Sequence, residues 1–319
     1  MQQLTQEYAQ EWEERKRMYK SDIKSDIKND TPTQGRKHFS LRKEIWNRLR
    51  KNKSAILGLV VIIIIFFMAI FADQIVNYED DVIRPNVVIR LQWPNSEHIL
   101  GTDELGRDVL SRIIYGSRMS LMIGVLAVVF SLTTGVILGS LAAFYGGKID
   151  TIIMRMCDIF EGLPSFLMAV VITAAFGTNI VNLMIAVGLG SFSSCTRIMR
   201  GNVLMVKDQD YVEAGYAMGA NDLQIIMFHI MPNCISTIIV QASLRVGSGI
   251  TTASALSFLG LGVQPPNPEW GAMLSGGRAY LLDSPYLTLF PGLAIMITIL
   301  AFNMLGDGLR DALDPRLKR

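Results

Sequence analysis

The side chains best placed to do chemistry in this 319-residue chain lie between residues 211 and 233, in YVEAGYAMGANDLQIIMFHIMPN, and the chemistry they offer is docking, not bond making. Asp210 is expected to cap a short helix over 211–218, with Glu213 three residues on as an acidic version of the capping box. Gly219 ends that helix, since glycine enters the left-handed conformation without steric cost, and Asn221 with Gln224 at once offers a second cap and box. Leu223, Ile226, Met227 and Ile230 then recur at helical spacing, and Pro232 either breaks the second helix or starts the next element. Two helices meeting at a rigid elbow make a projection suited to being gripped.

Groupings that would make or break bonds do not assemble. The nearest approach to a Walker phosphate loop, Gly146-Gly147-Lys148-Ile149, lacks the earlier glycine at the right spacing and the hydroxyl residue that holds magnesium. His38, His98 and His229 are far apart, which supports neither a zinc site nor a histidine-based triad. Cys157, Cys195 and Cys234 are widely spaced and form no disulfide framework or metal motif. An enzyme is therefore not expected, nor a catalytic residue, a metal or a cofactor.

The elements that must position the elbow are membrane spans. Half of the residues are hydrophobic and the mean hydropathy is +0.33, and several apolar runs approach or exceed the roughly 20 residues a bilayer crossing needs. Residues 55–72 and 121–144 carry no charge, and 180–196, 234–259 and 286–304 are further spans, the last two interrupted by Arg245 and Pro291. The run 163–176 fits a re-entrant segment as well as a crossing, unless its helix starts upstream near Ile159. Six transmembrane helices in an all-α polytopic fold are expected.

Residues 1–54 hold 14 of the 30 lysines and arginines, and with six spans most of the remainder fall on the same side, so both termini are expected in the cytoplasm. The first run follows a long polar segment without a small-residue cleavage site, and reads as an anchor, not a secretory signal. The arm 1–54 ends in Arg48, Arg50, Lys51 and Lys53, either a headgroup-binding face or simply a topology signal. Arg245 is the only charge well inside a span, which is costly unless it faces protein or water. It is a candidate translocation-pathway residue; a carboxylate-bearing cargo or an internal partner would each suit it. Asp158 and Glu161, near the start of the third span, are a solvated helix end or a contact to a partner.

Two outer loops carry further signals. In 98–118, Thr102 is expected to cap an amphipathic helix whose first turn holds Asp103 and Glu104 and whose apolar face is Leu105, Val109, Leu110, Ile113 and Ile114. That helix would lie on the outer membrane surface as a gate, a docking surface or a connector. The stretch 260–274, GLGVQPPNPEWGAML, reads as a rigid loop with an interfacial tryptophan.

With these residues in view, the segment 199–233 resembles the EAA loop of ABC transporter permeases, which inserts into a cleft of a separate ATPase subunit. Glu213, Ala214, Gly219 and Pro232 match that pattern, while Gly215 replaces the usual alanine, a change worth about 0.8–1 kcal/mol of helix propensity. ILGTDELGRDVLSR, HIMPN, LSFLGLGVQPP with the following Trp270-Gly271, and LGDGLRDALDPR are similar to the second permease (C type) of binding-protein-dependent dipeptide and oligopeptide importers. One departure is Ala253, where relatives commonly carry a glutamate shortly before LSFLGLG.

The resemblance implies a type I ABC importer permease in a bacterial or archaeal plasma membrane. Its parts would be the arm 1–54, a first helix 55–72, an extracytoplasmic loop 73–118, a five-helix core 119–306 and a tail 307–319. It implies a homologous permease, two ATPase subunits, an extracytoplasmic substrate-binding protein and a peptide cargo, with no nucleic acid. Within it, Glu213 and Asp222 would make polar contacts in the ATPase cleft, Gly219 the bend, and Leu223, Ile226 and Met227 the apolar anchoring. Import of nickel, glutathione or an oligosaccharide by the same architecture is the alternative, and an ATP-independent channel or secondary transporter is the alternative of a different class.

Overall fold

The computed structural model describes residues 41–313; the expectations for the arm before residue 41 and for the tail after residue 313 fall outside the described residues. The chain divides into two units between Trp46 and Asn47, and the account below concerns the second. Apart from one isolated bridge between Thr102 and Asp108, the regular elements among the described residues are helices. These are α1 (Leu41–Lys51), α2 (Lys53–Ile70), α3 (Val109–Tyr145), α4 (Gly147–Glu161), α5 (Ser165–Phe176), α6 (Ile180–Val206), α7 (Asp210–Ala217), α8 (Asp222–Phe258), α9 (Trp270–Gly277) and α10 (Tyr286–Leu313), with a single helical turn at Ala72–Ile75 and short π and 3-10 turns between them.

Five helices, α2, α3, α6, α8 and α10, are each long and apolar enough to cross a bilayer, and α4 and α5 pass the same test only as a pair bent by 84°, the geometry of a broken span or of a re-entrant loop. The bend falls at Gly162–Leu163–Pro164, so the apolar run is its own 12-residue helix from Ser165, preceded by a separate helix from Gly147, and not one helix continuing from near Ile159. α2 consists largely of β-branched and aromatic residues, poor helix formers in water. In hydrocarbon the backbone must satisfy its own hydrogen bonds, and helix is what remains. Its Leu57, Ile63, Ile64 and Phe67 are exposed, as a lipid-facing surface requires, whereas Ile62 and Ile65 pack with Val246, Ile250 and Phe302.

Small residues set the closest helix approach. A Cβ on Gly135 would stand 2.4 Å from Cys195 Cβ, and one on Gly139 would stand 2.5 Å from the Thr196 carbonyl, so α3 and α6 touch backbone to backbone. Polar ties fasten α4 to α6. Arg200 makes two 2.6 Å bonds to Asp150, and Arg197 pairs with Asp158 at 2.6 Å and with Glu161 at 2.7 Å. Asp158 and Glu161 thus have an intramolecular partner.

The end of the bundle opposite the elbow, here the loop end, departs from expectation. Thr102 caps no helix: its hydroxyl donates to the Ile89 carbonyl and accepts from the Gln92 N–H at 2.9 Å. Asp103 accepts the Leu105 and Arg107 amides, both at 2.9 Å, which closes a turn. Asp108 is the cap, taking the Ser111 N–H at 2.7 Å, and α3 runs from Val109 into the membrane without a break. No separate amphipathic helix lies there. Leu105 sits in the turn, and Val109 and Ile113 are buried against Tyr286 and Leu287.

Trp270 is likewise not interfacial, being 1 % exposed with its indole N–H donating to the Ile113 carbonyl at 2.9 Å. The neighbouring Glu269 is fully buried and caps α9, accepting the Gly271 and Ala272 amides at 2.9 and 2.8 Å and the Ser120 hydroxyl at 3.2 Å. Burial pushes its carboxyl above the usual carboxylate range, against the lowering effect of those bonds. Sequence reasoning passed Glu269 over; its position immediately before the helix-forming WGAML was the available signal.

Candidate functional site

The elbow forms as two capped helices, with one shift. The cap of α7 is Gln209, extended and without a side-chain bond, and Asp210 is the first helical residue, because the Gln209 carbonyl already accepts the Val212 amide at 2.8 Å. At the other end Gly219 has φ +86°, its N–H bonds the Tyr216 carbonyl at 2.9 Å, and the Ala220 N–H bonds the Gly215 carbonyl at 3.1 Å. This is the Schellman closure, which needs a left-handed residue at that one position. The second cap follows at once: Asn221 Oδ1 accepts the Gln224 N–H and Gln224 Oε1 accepts the Asn221 N–H, each at 2.9 Å.

α8 then runs to Phe258, with a π-turn over Ile225–Ile230. Pro232 therefore breaks nothing. It has no N–H to give and its ring crowds the carbonyl four residues back, and the widened turn just before it accommodates both. The elbow and the membrane helix are one mechanical piece.

Burial divides the expected contact residues. Val212, Ile225, Ile226 and Ile230 are buried; Val212, Ile225 and Ile230 pack with Met199, Val203 and Cys234 at the ends of α6 and α8. Ile226, expected as an anchor for a partner, is 8 % exposed and is used inside the chain. Leu223 and Met227 are 70 % and 53 % exposed, and Phe228 and Met218, which sequence reasoning did not single out, are 74 % and 78 % exposed. Glu213, Ala214 and Asp222 are exposed, and neither carboxylate takes a side-chain bond among the described residues. Gly215 fits its site closely: a Cβ there would stand 2.7 Å from Ile225 Cδ1 and 3.1 Å from His229 Nε2. The departure from alanine matches the tight seat of α7 on the π-turn.

Arg245 lies on α8 about 35 Å from Asp222 along the helix axis, at 1.5 Å per residue. Its guanidinium donates to Ser194 Oγ at 2.9 Å and to Gln241 Oε1 at 3.3 Å. The coupling candidates and Arg245 are thus brought onto one helix but not into one site.

The chain is similar to known proteins over most of its length. Residues 135–319 match the model of a family described as binding-protein-dependent transport system inner membrane component, and residues 40–94 match that of the N-terminal TM domain of oligopeptide transport permease C. The chain is 43% identical over 280 residues to the glutathione transport system permease protein GsiD of Pectobacterium atrosepticum, covering 86% of this chain and 91% of that one. It is 44% identical over 276 residues to the dipeptide transport system permease protein DppC of Alkalihalophilus pseudofirmus, covering 86% and 90%. Among solved structures, the inward-facing MetNI methionine ABC transporter superposes with a TM-score of 0.53 at 14% identity, covering 64% of this chain and 98% of that chain, a likeness of fold alone.

Proposed function

Because the chain belongs to the family of binding-protein-dependent transport inner membrane components, we propose that it forms half of a peptide pathway through the membrane and is driven through its elbow by a separate ATPase. It is a membrane permease subunit of an ABC importer and not itself an enzyme. Both termini and the elbow lie in the cytoplasm in this reading, and the loop end faces outward toward the binding protein. The complex holds this chain, a homologous permease and two ATPase subunits. The relatives named for dipeptide and glutathione transport support a cargo with peptide bonds.

The observation that carries the coupling role is the rigid elbow with Leu223, Met227 and Phe228 exposed at its end, on a helix that continues through the membrane. Apolar side chains held out on a capped projection bind a partner at little conformational cost, because the elbow is already ordered. Glu213 and Asp222, exposed and unpaired among the described residues, supply polar contacts to the cleft, and Gly219 supplies the bend. Closure of the ATPase pair on ATP draws the two elbows together, α8 carries that motion to mid-membrane, and the pathway opens outward; hydrolysis resets it.

Reconstituted complex loaded with labelled di- to pentapeptides tests the cargo, with glutathione and nickel as competitors. Peptide uptake that nickel does not reduce is expected, with competition by glutathione showing how far the peptide class extends, and nickel uptake without peptide uptake refutes it. Glu213→Lys should leave membrane insertion intact and lower peptide-stimulated hydrolysis and uptake about 10-fold or more, the loss of one charge-assisted contact. Unchanged uptake and unchanged stimulated hydrolysis would remove Glu213 from the cleft.

A further inference from the structure

Midway along the bundle the chain lines a half-open pocket of about 220 Å³ whose polar lining is Ser165, Ser191, Ser194, Arg245, Ser248 and Thr252. Its depth follows from helix geometry: Arg245 stands about 16 Å from the start and about 21 Å from the end of the apolar run 234–259, at 1.5 Å per residue. The pocket therefore sits in the hydrocarbon layer, where a cation is costly without an opposite charge or water. Arg245 is the one charged residue in the lining, and its two side-chain bonds go to the neutral groups of Ser194 and Gln241. Among the described residues no carboxylate pairs with it. A guanidinium has five N–H donors in a planar fork, so most of its capacity to hold an anion is unspent.

A second feature converges on the same cavity. Ser165 is the first residue of α5, a helix of 12 residues, and no side-chain bond caps the amino end of that helix. The 84° bend between α4 and α5 separates this end from α4, and Ser165 lines the pocket beside Arg245. A helix amino terminus presents unsatisfied N–H groups and about half a positive charge, and broken spans use such ends to meet anionic cargo. The wall behind is hydroxyl-rich and internally bonded: Ser191 Oγ donates to Ser131 Oγ at 2.9 Å, and Ser131 Oγ lies 3.2 Å from Cys195 Sγ. That wall is pre-ordered and brings no competing negative charge.

We propose that this pocket is a transit site for a carboxylate of the cargo, held by the Arg245 fork, the start of α5 and the Ser194 hydroxyl. The inference rests on the peptide reading above, and it adds which end of the cargo the membrane subunit recognises. Arg245 shares α8 with the elbow, so the motion that opens the pathway also moves the cation relative to α5, which loosens the site when the cargo must leave.

Two measurements on the intact complex, with both permeases, the ATPases and the binding protein, test it. The first labels Ser248→Cys, an exposed residue of the lining, with an anionic and a cationic methanethiosulfonate; the native cysteines are buried, and complex without the added thiol corrects for them. The anionic-to-cationic rate ratio should fall about 5-fold or more when Arg245→Gln is added, the effect of removing one nearby charge at intermediate dielectric. An unchanged ratio would mean that a carboxylate of the sister permease already neutralises Arg245, and the proposal fails.

The second compares uptake of a free-acid peptide with its C-terminal amide, both confirmed to saturate the binding protein. Wild type should favour the acid about 10-fold or more, Arg245→Lys should keep part of that preference, and Arg245→Gln should abolish it. Equal uptake of acid and amide in wild type, or equal losses of both in Arg245→Gln, overturns the proposal. If wild type moves neither peptide, it is the peptide reading that fails, and the labelling ratio still decides the anion pocket.

Discussion

Replacing Gly219 by alanine isolates the cost of the elbow's bend. At φ +86° an L-residue is pressed against its own carbonyl, a penalty of about 1–2 kcal/mol. No atom lies within 4 Å of the position a Cβ would take, so packing neither adds to that penalty nor offsets it. The strain has one local outlet, rupture of the two closing bonds from Gly219 N–H to the Tyr216 carbonyl and from Ala220 N–H to the Gly215 carbonyl. A shift of 1–2 kcal/mol is about a 5- to 30-fold change in the open-to-closed ratio. Hydrogen exchange of the amides at 219 and 220 in the assembled complex should accelerate by that factor in Gly219→Ala and by less in Gly219→Asn, since asparagine tolerates the left-handed region. The Gln224 amide, held by the independent capping box, should not change. Peptide-stimulated hydrolysis should fall in the same order. Equal exchange in wild type and Gly219→Ala, or equal effects of alanine and asparagine, would refute the assignment of the bend to this one residue.

The two faces of the second elbow helix should separate cleanly. Leu223→Asp should abolish co-purification of the ATPase while leaving the melting temperature of the permease pair unchanged, because the side chain is exposed. Ile226→Ala should lower that melting temperature, with a loss of about 2–5 kcal/mol for a buried isoleucine, even with the ATPase absent. Glu269 predicts a pH effect. Its folded pKa is raised by burial, so its contribution to stability is complete below the ordinary glutamate value and is lost as pH rises through the raised folded value. Melting temperatures of wild type and Glu269→Gln, measured in detergent across that range, should therefore diverge toward alkaline pH, with the glutamine variant gaining relative to wild type. Parallel curves would show that the buried carboxyl does not titrate differently on folding.

The parts of the site legible in the residues were those whose cause lies within one helical turn. Asn221 and Gln224 bond each other across three positions, and Gly219 closes a helix with bonds reaching three and five residues, so their chemistry is visible in the string. Asp210 was misread by one position because Gln209 caps with its backbone alone, a bond that no side-chain type announces. Thr102 has a good cap's side chain, yet its hydroxyl is spent on Ile89 and Gln92, more than nine positions earlier. The helical spacing of Leu223, Ile226, Met227 and Ile230 was real, but the π-turn adds a residue to that turn and rotates the face, so Ile226 and Ile230 turn inward while Leu223 and Met227 stay out.

Composition and apolar run length by themselves determined that this chain is an all-α membrane protein with about six crossings and a capped polar elbow between two of them, because hydropathy over a bilayer's thickness and capping within a turn are local properties. The tertiary structure alone decided which faces are covered. It buried Trp270 and Glu269, bent α4 against α5 by 84°, and set Ser194, 51 residues before Arg245 in sequence, within bonding distance of its guanidinium. A lone arginine in a span is a cost that the sequence can register. Whether its surroundings offer an anion, or leave a place for one, depends on helices that meet only in the folded bundle.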